Sequence, residues 1–220
     1  MEYLRSAISA LVRTVLDLNV NSSALEGLQD VDTLSVNDII KDAVPRAARM
    51  VIEAAPHYLL DRGEAFATSV KWQTQIGTGM GWIQLPDDFL RLVTFQLSDW
   101  SYACIEAITE DNPLYHQMKS RYPGIVGNVQ RPVTAIVHQP IGLTLEFYVG
   151  NSSASNIQIK RARYIPMPRW IPTQTDDLQI KIPEKLLDAT VYQTAYLVSQ
   201  SLGDDAAAAR FAKVTEEMLK

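Results

Sequence analysis

Three histidines, His57, His116 and His138, and one cysteine, Cys104, are the side chains of this chain best suited to metal or nucleophilic chemistry. They lie far apart in sequence, and no two histidines stand at the i, i+4 spacing that lets one helix face hold zinc. A single cysteine excludes an intrachain disulfide and a multi-cysteine metal site, fits a reducing compartment, and reads as a small buried apolar residue. Three acidic pairs, Asp87-Asp88, Asp176-Asp177 and Asp204-Asp205, would need to converge on one pocket to do acid/base work. Each falls at a turn or helix start, where Asp bonds local backbone amides. Gly77-Thr78-Gly79-Met80-Gly81 lacks the GxGxxG spacing and precedes no helix, so it reads as a hairpin turn and not a phosphate cradle. These residues imply no cofactor, no metal and no enzyme.

Charge offers a second kind of chemistry. Lys160, Arg161, Arg163 and Arg169 form the only basic cluster and are interleaved with Tyr164 and Trp170. On a strand, Arg161 and Arg163 share one side and Lys160 takes the other. Such a row can meet DNA phosphates or a partner's carboxylates, or it can be a solvated strand edge protected by charge. The whole chain has 25 acidic against 20 basic residues, a net charge of −5, so no overall basic field marks a sequence-specific nucleic-acid reader. Trp82, Trp100, Trp170 and Tyr148 supply the alternative, an aromatic platform for a receptor- or glycan-binding module.

The elements that must position these residues follow from periodicity. With 220 residues, 47% hydrophobic and 20% charged, the chain can bury a real core. Leu4, Ile8, Leu11, Val12 and Val15 place a helix within Met1 to Asn19, where charged residues interrupt any signal-peptide core. Ser35 and Asp38 form a capping-box variant ahead of the stripe Ile39, Ile40, Ala43, Val44, Ala47, Met50, Val51 and Ala54. Pro45 inside that stripe deletes a helix hydrogen bond, and Pro56 ends it. From about Glu64 the period becomes two, with strands expected over Val70 to Ile76, Trp82 to Leu85, Phe89 to Leu97, Tyr102 to Ile108, Pro132 to His138, Leu143 to Val149 and Ile157 to Ile165. The alternation of Leu143, Leu145, Phe147 and Val149 predicts an antiparallel strand with one wet face. Asn112-Pro113 opens a short helix over 113–120. Pro183-Glu184 opens a long helix ended at Gly203, and Asp204 or Asp205 caps a last one.

The expected fold class is α+β: a discontinuous helical bundle from residues 1–60 and 180–220, with an inserted antiparallel β-rich region over 61–179. Neither set of helices can hide its apolar stripe alone, so the two chain ends must pack on each other. No stretch approaches the roughly 18 uncharged apolar residues of a membrane span, and the chain reads as soluble, with no membrane partner.

The run Trp82-Ile83-Gln84-Leu85-Pro86-Asp87-Asp88-Phe89-Leu90-Arg91-Leu92-Val93 resembles the LPDDFLRL element of head-tail adaptor (connector ring) proteins of tailed bacteriophages, podovirus-like and crAss-like phages in particular. Glu110 to Tyr115, Arg131-Pro132-Val133 and Pro183 to Gly203 follow in the same order, so the resemblance covers about Val70 to Lys220. It implies a structural virion protein made in the host cytoplasm: a homo-oligomeric ring, in this family usually a dodecamer, docked on the portal protein and touching other tail or connector proteins. Genomic DNA would pass through without sequence-specific binding. The family commonly holds the portal with an extended C-terminal segment, which this chain, ending one residue after Leu219, departs from. The candidate interface is Pro86, Asp87, Asp88 and Phe89 with Arg161, Arg163, Arg169 and Trp170.

Overall fold

The computed structural model describes residues 1–16, 35–66, 80–118, 132–148, 157–174 and 177–220. The strand expected over Val70 to Ile76, most of the glycine turn, Val149 and Asp176 lie outside them. The fold is α+β: helices α1 (Arg5–Val15), α2 (Val36–Ala54), α3 (Pro113–Met118), α4 (Leu187–Ser201) and α5 (Asp205–Met218) accompany three small antiparallel sheets. The chain divides into a helical unit, Met1–Asp61 with Met167–Lys220, and a β unit, Arg62–Pro166.

In the helical unit α4 is central and packs against α1, α2 and α5. Three neighbours bury it on most sides, so that Ala189, Gln193, Ala195 and Ser199 are buried as well as Thr190, Val191, Thr194 and Val198. The hydroxyls of Thr190 and Thr194 are accommodated by donating to the carbonyls of Leu186 and Thr190, both at 2.7 Å. On α1 only Ile8 and Val12 are buried, and Leu4 and Leu11 of the expected stripe stay exposed. Ser35 caps α2 by accepting from the Asp38 amide, and Asp204 caps α5 by accepting from the Ala207 amide. Between α4 and α5, Gly203 takes φ +78°, the left-handed turn that glycine adopts at least cost.

A small sheet ties the two chain ends together. β1 (Glu2–Leu4) pairs with β9 (Leu178–Lys181), which pairs with β8 (Ile171–Pro172). The first residues are therefore a strand and not the start of the helix expected from Met1. Residues 167–179, assigned by periodicity to the insert, belong to the helical unit. Alternation marks a strand but not the sheet it joins. The N-terminal ammonium donates to the Ile182 carbonyl at 2.9 Å, and the Ile182 amide donates back to Met1. Asp177 closes the junction, accepting from the Leu178 amide and the Ser6 hydroxyl at 2.8 Å each and lying 3.4 Å from the Arg5 guanidinium.

Pro45 sits inside α2, and its missing N–H leaves the Lys41 carbonyl, four residues earlier, without its helix partner. The Trp170 indole N–H donates to that oxygen at 2.8 Å. A side chain from the returning half of the chain thus satisfies a defect in the first half.

The β unit is two facing three-stranded sheets. One has the order β2-β7-β4, from Glu64–Ala65, Ile159–Pro166 and Phe89–Leu97; the other has the order β3-β6-β5, from Met80–Gln84, Gly142–Tyr148 and Thr134–Gln139. Fully buried Phe95 and Phe147 meet across the gap at 4.9 Å between ring centroids, with Trp100 edge-on to both. Burial of such side chains contributes about 1.5–3 kcal/mol each. The register of β4 on β7 shifts at three places, so Leu92 and Val93 are both buried and the simple parity of Phe89, Val93, Phe95 and Leu97 is interrupted. Tyr102 to Ile108 is not a continuous strand. Cys104 bridges to Phe95 on the free edge of β4, and Ile108 bridges to Ala135 on the free edge of β5, so the segment crosses from one sheet to the other. Nor is the second face of β6 wet: α3 lays Tyr115 and Met118 near Ala135 and Val137, and Thr144 and Glu146 are buried. Glu146 accepts from the Tyr115 hydroxyl at 3.0 Å and from Gln139 at 2.9 Å.

Trp170→Phe is expected to cost about 1–3 kcal/mol in urea unfolding, the penalty of an unsatisfied buried acceptor. Pro45→Ala, which restores an amide under the Lys41 carbonyl, should recover most of that loss in the Trp170→Phe background; strict additivity would remove the capping role. The Leu178 amide, the Ser6 hydroxyl and the nearby Arg5 hold the Asp177 carboxyl below the usual carboxylate range. A lowered folded-state pKa stabilises above the ordinary carboxylate pKa, and that stabilisation is lost as pH falls through the lowered value. Urea midpoints taken between about pH 5 and pH 2 should therefore fall less steeply in Asp177→Asn than in the wild type.

Candidate interaction site

The structure gives the turn at 86–89 a largely internal role. The Phe89 amide donates to the Pro86 carbonyl at 3.0 Å, closing a tight turn after Leu85, whose own amide bonds the Leu143 carbonyl at 2.9 Å. Asp88 accepts from the Tyr164 hydroxyl at 2.9 Å, and Phe89 is buried and stacks on the Tyr164 ring at 5.8 Å. Of the four residues only Asp87 is exposed.

The basic cluster divides. Arg169 is exposed and Trp170 half-buried in the helical unit, whereas Lys160, Arg161 and Arg163 lie on β7 in the β unit. Ala162 and Tyr164 turn into the core, so Arg161 and Arg163 fall on the opposite face, as strand parity requires. Arg163 stands in register between Ala65 of β2 and Thr94 of β4. There the sheet carries a cleft of about 570 Å³ edged by Arg62, Lys160, Arg161 and Arg163. Arg163 donates to the Gly63 carbonyl at 3.1 Å. Gly63 has φ +67° and a position where an added Cβ would lie 2.5 Å from the Tyr164 carbonyl oxygen, so only glycine brings Arg62 around the sheet edge in this way. Arg62 is the cleft residue that sequence reasoning missed, since it stands nearly a hundred positions from the others and no periodicity links them.

The remaining chemical candidates do not converge. His57 lies in a 3₁₀ turn, His116 on α3 and His138 on β5, and no group of three or more metal-ligating side chains occurs among the described residues. Asp177 and Asp204 accept from local backbone amides, and Asp88 accepts from the distant Tyr164 hydroxyl. Trp100 is in the core, Trp82 is half-buried on β3, and Trp170 is in the helical unit, so these three form no common platform within one unit. No described helix is long and apolar enough to cross a membrane.

Against known families, the chain matches the SU10 adaptor protein over residues 6–220. It belongs to that family. The protein is therefore a phage adaptor, a structural component of the virion that meets other head or tail proteins. A search of curated proteins finds no match. The match bears out the resemblance to a phage adaptor at the level of the family.

Cys104 makes a testable marker of that unit. Its thiol donates to the Pro132 carbonyl at 2.9 Å, and burial pushes its pKa up from about 9 to about 11. A raised folded-state pKa gives stability that is complete below about pH 9 and lost as pH rises toward about 11. A thiol reagent at neutral pH should react with the folded chain far more slowly than with the urea-unfolded chain, and Cys104→Ala should remove part of the alkaline loss of stability.

Proposed function

We propose that this adaptor is a subunit of a homo-oligomeric ring, a dodecamer as the resemblance to head-tail adaptors implies, that docks on the portal protein at the head-tail interface and lets genomic DNA pass. The family match over residues 6–220 carries the reading. Charge supports it: twelve chains of net charge −5 would carry about sixty net negative charges, a field that repels DNA phosphates and keeps the genome mobile. In the β unit the candidate interface residues Asp87, Arg161 and Arg163 reach the surface or the cleft, and Pro86, Asp88 and Phe89 hold the turn against Tyr164; in the helical unit Arg169 is exposed and Trp170 half-buried.

Purified chain mixed with the portal of the same phage should sediment as a single large complex. Electron microscopy of it should show a closed ring beneath the portal with an open channel. A chain that stays monomeric with the portal present and binds glycans instead would replace this reading with a receptor-binding module.

A further inference from the structure

The cleft on the β2-β7-β4 sheet has an unmatched charge and a mixed lining. Arg62, Lys160 and Arg161 make no ion pair among the described residues, and Arg163 is bonded to a neutral carbonyl. Between these cations the walls include Val93, Ile159 and the aliphatic Ala65. Phosphate alone would use the cations and leave the apolar wall without a partner; an acidic protein segment with apolar neighbours would use both.

The same unit carries such a segment. Glu106, Glu110 and Asp111 are exposed and unpaired among the described residues, and Tyr102 and Ile105 beside them are 69% and 48% exposed. The segment leaves the free edge of β4, where Cys104 bridges to Phe95, and crosses to the free edge of β5, where Ile108 bridges to Ala135, whereas the cleft is lined by residues of β2, β7 and β4. One copy therefore presents a basic-apolar cleft on one sheet and an acidic-apolar rim along the segment that joins the free edges of the two sheets. Two different complementary patches make a head-to-tail contact, which repeats from copy to copy and closes when the rotation permits.

We propose that the cleft edged by Arg62, Lys160, Arg161 and Arg163 receives the acidic rim at 102–111 of a second copy of this chain. The inference rests on the self-assembly proposed above and names the surfaces that would make it. Electrostatic contacts of this kind weaken as salt rises.

The test is a charge swap in the full chain, followed by sedimentation velocity at low and high salt, alone and with the portal. Arg161→Glu with Arg163→Glu, and separately Glu110→Arg with Asp111→Arg, should each weaken self-association about tenfold. The four substitutions together should restore it, which also shows that the variants fold. Self-association untouched by either reversal would overturn the inference and leave the ring standing. Loss with each reversal but no recovery in the combination would overturn the pairing. A wild-type chain that never self-associates, with or without the portal, would sink both the ring and the inference. Loss of short duplex DNA binding with self-association intact would make the cleft a phosphate site instead, and the inference would fall.

Discussion

The helical unit depends on a hydrogen bond that the local sequence cannot make. Pro45 strips α2 of one amide, and the carbonyl left behind at Lys41 is satisfied by the indole of Trp170, which the chain supplies only after the whole β unit has been threaded through. The same return journey delivers β9 to β1 and α4 to the centre of the helices. Each of these contacts requires the chain ends to meet. The entropy of closing so long a loop is modest, because a doubling of loop length adds only about 0.6 kcal/mol. A large insert is therefore compatible with a helical unit stabilised by burial around α4.

The β unit solves a different problem. The residues of its 85–89 turn make the fold: Leu85 and Phe89 are buried, Asp88 holds the Tyr164 hydroxyl, and Pro86 supports the turn. Bulges along β4 and the crossing segment at 104–108 break the regular ladders at the sheet edges, which limits unwanted strand addition. The unit's accessible charge is concentrated in the basic cleft on one sheet and in the acidic rim at 102–111 that crosses between the sheets. For a structural adaptor this is a sensible division, since geometry is set by an apolar core and partner choice by charges that can be matched or mismatched.

Much of this was legible from the residues alone. The cap at Ser35, an Asp cap at 204 or 205, the left-handed turn at Gly203 and the pairing of Arg161 with Arg163 on one strand face are local consequences of backbone bonding and period, so the sequence determined them, and the fold chose Asp204. The α+β class followed from the change of period, and the packing of the ends from helices too few to cover themselves. Tertiary structure alone decided that residues 2–4 form a strand, that 167–179 leave the insert, that α3 dries a face of β6, and that Arg62 joins the cleft. It also gave Trp170 a role that its sequence position does not show, as the donor to the Lys41 carbonyl. The physical reason is common to all of them: period and capping report which groups need a partner, but the partner stands many residues away, and only the folded chain selects it.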